Sequence, residues 1–230
     1  ELDNHPYIQF RIIFIASRHR DIEILKQHQE LYHELKGDER FRRMFVGFDL
    51  AGNEAAGKPG DLREYFLDVM ADSVNMTIHA GEDQPAESIW EAIYHLNADR
   101  IGHGLSLREN TPLLTRIVNR GIALEMCPSS NDQVVGFKNF QTDNSVSRIY
   151  PLREYLNKGL RVTINTDDPG MSLTSLSQEY YKAATMTRNG LSRWDILQMV
   201  KNGFQASFAG FEKRKLLLEE AGNKVFEIGV

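Results

Sequence analysis

Two adjacent carboxylates, Asp167 and Asp168, close the stretch "VTINTDDPG", where an apolar strand-like run stops at Pro169-Gly170. Like charges side by side at a buried strand end repel each other unless a cation neutralises one of them. Asp is also a good helix N-cap and Pro a good first helical residue, which accounts for one Asp but leaves the other. A hard or borderline cation held by His79 and Asp167 would account for it. His79 stands in "TIHAGE", three residues before Glu82. That spacing lets an imidazole and a carboxyl meet over one pocket once the strand breaks at Gly81, although a lone strand-end His also reads as a structural residue. His103 in "RIGHG" is flanked by Gly102 and Gly104, which permit close approach of backbone or ligand. For His103 a structural and a functional reading both stand.

The elements that must position these side chains alternate. Strand-like runs "IQFRIIFIA", "MFVGFDLAG", "NMTIHAGE", "RIGHG", "IALEMCP" and "RVTINTD" are separated by periodic segments such as "DIEILKQHQELYHELKG", "AESIWEAIYHLN" and "LRENTPLLTRIVNRG". In the first of these Ile24, Leu25, Leu31, Tyr32 and Leu35 fall near one helical face, and Gly37 is placed to end it. Such alternation predicts an α/β fold with parallel strands and crossover helices, followed by helices alone after Pro169. Six strand-helix units are two short of a (β/α)8 barrel, and six also suit a doubly wound open sheet. The Gly-rich phosphate turn that such sheets often carry is absent, and the polar groups gather at strand C-termini in "FDLAGNE", "IHAGE", "GHG", "CPSSN" and "TDD". In a barrel those ends converge on one mouth, so an incomplete TIM barrel is expected. The long stretch "SSNDQVVGFKNFQTDNSVS" reads as irregular, of the kind that forms lids or binding loops.

Composition narrows the function classes. The 230 residues are 41% hydrophobic and carry a formal net charge of −5, which offers no basic footprint for nucleic acid. No apolar run approaches a membrane span, so a soluble chain is expected, with a cytoplasmic location favoured and no signal peptide evident. A single cysteine, Cys127, excludes a disulfide framework and Cys-x-x-Cys zinc sites, leaving any metal to His and carboxylates. Cys127 itself reads as a small core residue. His5, His19, His28, His33 and His95 read as structural or solvated, Arg18 as a candidate mouth residue, and Phe45, Phe48 and Trp90 as core. The run "EKRKLLLEE" reads as a solvated helix with one apolar face.

Taken in order, "GFDLAGNE", "TIHAGE", "RIGHG", "MCPSSN" and "NTDDPG" closely resemble the adenosine deaminase family of metal-dependent hydrolases across essentially the whole chain. The resemblance implies a (β/α)8 barrel with one catalytic zinc at its mouth, the strands here matching the family's third to eighth. It implies His79 and Asp167 as zinc ligands and Glu82 as the general acid that protonates the purine ring. His103 would take a proton from, or electrostatically hold, the attacking water, while Asp168 would orient that water and contact substrate. Gly52 would offer its backbone N–H to the purine edge. Burial and the neighbouring Asp168 would both raise the Glu82 pKa.

The family's His-x-His pair, which supplies two further zinc ligands, has no counterpart here. Residues 1–230 are therefore expected to be one catalytic-barrel domain forming the later three-quarters of a larger deaminase domain. Open sheet edges predict self-association or pairing with an N-terminal segment. "LAGNE" resembles the nucleoside branch, and no Arg/Lys cluster at the strand ends suits a phosphate, so adenosine or a related purine nucleoside is the expected substrate. Two alternatives remain: another barrel metallohydrolase, for which the expected strand-end lysine is missing, and a non-catalytic barrel, favoured by the missing ligands.

Overall fold

The computed structural model describes residues 10–18, 22–137 and 149–227. Its strands are β1 (Ile12–Ser17), β2 (Phe45–Ala51), β3 (Asn75–Ala80), β4 (Arg100–His103), β5 (Ala123–Met126) and β6 (Arg161–Ile164). Helices α1 (Ile22–Leu35) and α2 (Glu39–Met44) follow β1, α3 (Leu67–Ala71) follows β2, α4 (Ala86–His95) follows β3 and α5 (Thr111–Arg120) follows β4. After β5 come α6 (Pro128–Val135) and α7 (Leu152–Asn157). After β6 the chain is helical throughout: α8 (Pro169–Ser172), α9 (Leu176–Met186), α10 (Arg193–Ala206) and α11 (Phe211–Glu227).

The six strands form one parallel sheet, as the alternation predicts, in the sequential order β1-β2-β3-β4-β5-β6 that suits a barrel and not a doubly wound sheet. Every connection crosses over through helix or turn, and β1 does not pair with β6 among the described residues. One register runs across the sheet from Ile15 through Asp49, Thr77, Arg100 and Ala123 to Arg161. Strand side chains alternate in direction. Phe48, Leu50, Ile78, Ile101, Leu124 and Val162 are buried in one cluster with helix residues such as Ile89, Ile93, Leu113 and Ile117. Burial of each such side chain stabilises the fold by roughly 1.5–3 kcal/mol. The opposite strand faces, which carry Asp49, Thr77, His79, Arg100 and Glu125 beside Ile13 and Ile15, line a central cavity of about 1100 Å³. Ile15, also on that wall, is 57% exposed, and among the described residues β1 pairs with β2 alone.

Several sequence expectations change. The start of the stretch read as irregular is helix α6, begun by Pro128 at a position where a missing N–H costs nothing. Residues 138–148 lie outside the described residues, as do His5 and His19. Trp90 is 42% exposed and packs against Tyr94 and His95 on the outer face of α4 instead of entering the core. On α1, Leu25 and Tyr32 are buried, whereas Leu31 is exposed because it falls past the edge of the packed stripe. No residue of α11 is buried, which agrees with a solvated helix.

Candidate active site

The site begins where β3 breaks. Gly81 has φ 73°, the left-handed region, and this turn swings Glu82 toward the cavity. Glu54, buried in a short 3-10 turn after β2, holds the break in place by accepting hydrogen bonds from the Gly81 and Glu82 backbone N–H groups, both at 2.8 Å. Gly102 faces His79 across the β3–β4 pair. A Cβ there would lie 3.1 Å from Nδ1 and 3.2 Å from Cα of His79, so a larger residue would push the imidazole by a few tenths of an ångström. Arg18, expected at the mouth, is instead buried beneath it. It donates to the Leu50 carbonyl at 2.8 Å and the His79 carbonyl at 2.5 Å, tying together the ends of β2 and β3.

The side chains converge from four strand ends. His79 Nδ1 lies 3.0 Å from Asp49 Oδ1, and its ring meets His103 edge-on at 4.9 Å between centroids. Asn131 on α6 joins the other groups. Its Nδ2 donates to Glu82 Oε1 at 3.1 Å and reaches His103 Nδ1 at 2.9 Å. The amide orientation is fixed because its Oδ1 accepts from the Cys127 backbone N–H, which can only donate, and from the Tyr150 hydroxyl. His103 Nδ1 must then be an acceptor, and a neutral His103 carries its proton on Nε2.

Electrostatics separate these groups. Burial raises the Glu82 pKa to about 7; the Asn131 hydrogen bond opposes this and the charge of Asp167 adds to it. The contributing neighbour is thus Asp167, where the sequence pointed to Asp168. Burial works against a charged His79, but the Asp49 carboxylate outweighs it, and with Asp167 and Glu125 adding, the pKa rises to about 9. Burial, with the nearby His79, holds His103 well below the ordinary imidazole value. The Cys127 thiol is pushed well up by burial, consistent with the core residue expected rather than a nucleophile.

Asp167 and Asp168 part company. Asp167 takes φ 55° at the end of β6, and Asp168 caps α8 by accepting from the Met171 N–H at 3.1 Å. The ordinary capping role therefore belongs to Asp168, the residue also expected to bind substrate. Both line the central cavity together with Gly52, His79, Glu82 and His103, so the sequence-predicted residues share one pocket. Among the described residues, the metal-competent group with ligand atoms within 4.8 Å of one another is His103, Cys127 and Asp167, a set that shares only Asp167 with the expected pair.

The donor chemistry suits a borderline cation such as zinc. A carboxylate on Nδ1 of an imidazole, as Asp49 provides for His79, is the arrangement that orients metal-ligating histidines and leaves Nε2 free. The excess of carboxylates that raises the His79 pKa is what a cation would offset. Asn131, Asp49, Glu54 and Tyr150 were not singled out from sequence. The first three stand inside the quoted motifs "CPSSN" and "GFDLAGNE", but only the tertiary contacts reveal their partners.

Comparison with known proteins places the chain in a family. The adenosine deaminase family profile matches residues 4–224. An adenosine deaminase of Shewanella denitrificans is 35% identical over 80% of this chain and 53% of its own length. An adenine deaminase of Sinorhizobium fredii is 34% identical over 92% of this chain and 61% of its own. The chain thus spans between about half and three-fifths of the length of these curated relatives. Among solved structures, an amidohydrolase from Burkholderia ambifaria with bound Zn superposes with a TM-score of 0.80 at 21% identity, over 93% of this chain and 56% of that one, a likeness of fold alone. With a family match spanning nearly the whole sequence and strand-end motifs meeting in one cavity, the chain belongs to the adenosine deaminase family.

Proposed function

We propose that the protein carrying this chain catalyses metal-dependent hydrolytic deamination of a purine nucleoside, with adenosine or a close relative going to inosine or its analogue and ammonia. The observation that carries this reading is the Glu82–Asn131–His103 constellation, of which Glu82 and His103 line the central cavity. A carboxyl with a pKa of about 7 can be protonated at neutral pH, and Asn131 occupies Oε1, which leaves Oε2 to present the proton. Donation from Glu82 to a purine ring nitrogen makes the adjacent amino-bearing carbon more electrophilic, and general acid help of this kind is worth about 10²- to 10⁴-fold. His103, neutral with its proton on Nε2, would hydrogen-bond the attacking oxygen and fix its line of approach. Of the two roles implied by the family resemblance, the tautomer favours holding that oxygen over accepting its proton. Gly52 would offer its N–H to the purine edge, and Asp168 would orient water.

His79 and Asp167 are the proposed zinc ligands. When bound, the ion supplies a nucleophile at neutral pH by acidifying water. Two donors are fewer than the three protein ligands of a catalytic zinc, so further ligands would come from outside the described residues, with residues 1–230 forming part of a larger catalytic barrel. The reading is tested by adenosine deamination, followed as ammonia release, in the zinc-loaded protein. Glu82→Gln should lower kcat by about 10²- to 10⁴-fold with little change in KM. Undiminished turnover by the variant would remove Glu82 as the acid. Residues 1–230 alone should show weak activity or none, whereas inactivity of a protein that also carries the N-terminal part of the barrel, with zinc and an intact fold, would favour a non-catalytic barrel.

A further inference from the structure

At the end of the sheet remote from the mouth, the N-terminal ends of β4 and β6, the segment leading into β5, the C-terminus of α10 and the start of α11 enclose a second cavity of about 460 Å³. Four arginines line it, Arg100, Arg120, Arg161 and Arg214, with Asp99 the one carboxylate among the lining residues. In a chain of net charge −5 this is a local reversal of sign.

Ordinary structural roles account for two of the arginines. Arg100 pairs with Glu125 at 2.9 Å, donates to the Ala206 carbonyl at 3.1 Å and lies 3.7 Å over the Phe208 ring. Arg214 donates to the Gln205 and Ser207 carbonyls at 3.3 and 3.4 Å, so both guanidinium groups satisfy the last carbonyls around the end of α10. Asp99 is also engaged, accepting from the Met76 N–H at 2.9 Å. Arg120 and Arg161 have no such account: neither side chain has a hydrogen bond or ion pair among the described residues. Arg161 is half-buried and lies against Gly121, where an added Cβ would come within 3.3 Å of Nη2. The same side chain lines an adjoining hollow with Arg214 and Lys215.

Arg161 is half-buried and Arg120 exposed at the rim, so both guanidinium groups have donors open to an acceptor that enters the cavity. The planar guanidinium fork matches a phosphoryl group bidentately, and two forks on one cavity can share the oxygens of a tetrahedral dianion. We propose that this floor cavity binds a phosphoryl dianion, either inorganic phosphate or the phosphate end of a small phosphorylated metabolite, with Arg120 and Arg161 as its donors. The site lies at the opposite end of the strands from Glu82 and His103 and does not depend on the deaminase reading.

Calorimetric titration of the full chain with inorganic phosphate, and in a parallel arm with ribose 5-phosphate, tests this at constant ionic strength so that general screening does not mimic binding. Saturable binding is expected, weakened roughly tenfold or more in the Arg120→Ala/Arg161→Ala double variant. Arg116→Ala, an exposed position of α5 outside the cavity, should bind as the wild type does. Tighter binding of ribose 5-phosphate would identify an organic phosphate as the ligand class, and tighter binding of phosphate would identify the free ion. Absence of saturable binding, or equal binding by wild type and double variant, would overturn the proposal. Should the double variant unfold, Arg120→Ala alone, at an exposed helix end, decides: unchanged binding refutes the assignment of Arg120, and weakened binding supports it.

Discussion

Asn131 shows how one neutral side chain can set the state of two ionisable ones. Its amide is held by the Cys127 N–H and the Tyr150 hydroxyl, and its two N–H donors are divided between Glu82 and His103. Asn131→Ala should therefore release both partners at once. A hydrogen bond to a charged or reacting group is worth about 1.5–3 kcal/mol, so kcat for adenosine is expected to fall roughly 10- to 100-fold while the fold survives. Steady-state kinetics with circular dichroism on the same sample measures both. Gly102 tests position alone. Gly102→Ala would place a methyl group 3.1 Å from His79 Nδ1 and should lower zinc affinity or kcat by displacing the imidazole, whereas a change in thermal stability without either would show that the site tolerates that displacement.

At the scale of elements, the helices after β6 brace the sheet through polar ties as well as packing. Ser192 and Asp195 form a reciprocal capping box at the start of α10, and Asp195 also accepts a two-pronged contact from Arg153 of α7 at 3.0 and 3.1 Å. The Arg153 hydrogen bonds, reinforced by those from Ser192, lower the Asp195 pKa to about 2. Because the folded-state pKa is depressed, the stabilisation is fully present above the ordinary carboxylate value of 3.8 and is lost as the pH falls through about 2. Asp195→Asn should cost about 1–3 kcal/mol at neutral pH, and the gap to wild type should narrow progressively below pH 4. Urea unfolding of both proteins across that range checks the sign. A gap that widened in acid would contradict the ion-pair account.

For the molecule as a whole, the sheet is open, its cavity-facing wall mixes charged and apolar side chains, and its outer edges, on β1 and β6, are unpaired among the described residues. Such edges are templates for further strands. The described donors proposed for zinc number two, His79 and Asp167, so the isolated 230-residue polypeptide should bind zinc weakly and lose it on gel filtration. Metal analysis after titration gives the stoichiometry. Tight retention of one zinc per chain would mean that other groups, with the neighbouring His103 and Cys127 the first to examine, complete the set. No helix among the described residues is long and apolar enough to cross a membrane.

The sequence by itself determined that the six strands are parallel, because strand and helix periodicities are local, and the polar groups at the strand C-termini pointed to the sequential order of a barrel. It also determined that His79, Glu82, His103, Asp167 and Asp168 share a mouth, since each stands at or just beyond a strand C-terminus. Only the tertiary structure decided which partner each group has. Asp49 and His79 are 30 residues apart, Glu82 and Asn131 49, and Glu54 and Glu82 28, separations at which no spacing rule operates. The two aspartates show the division most clearly. Their types announced a cap and a charge at one strand end, but which was which depended on backbone direction, a left-handed turn at Asp167 and a helix start at Asp168.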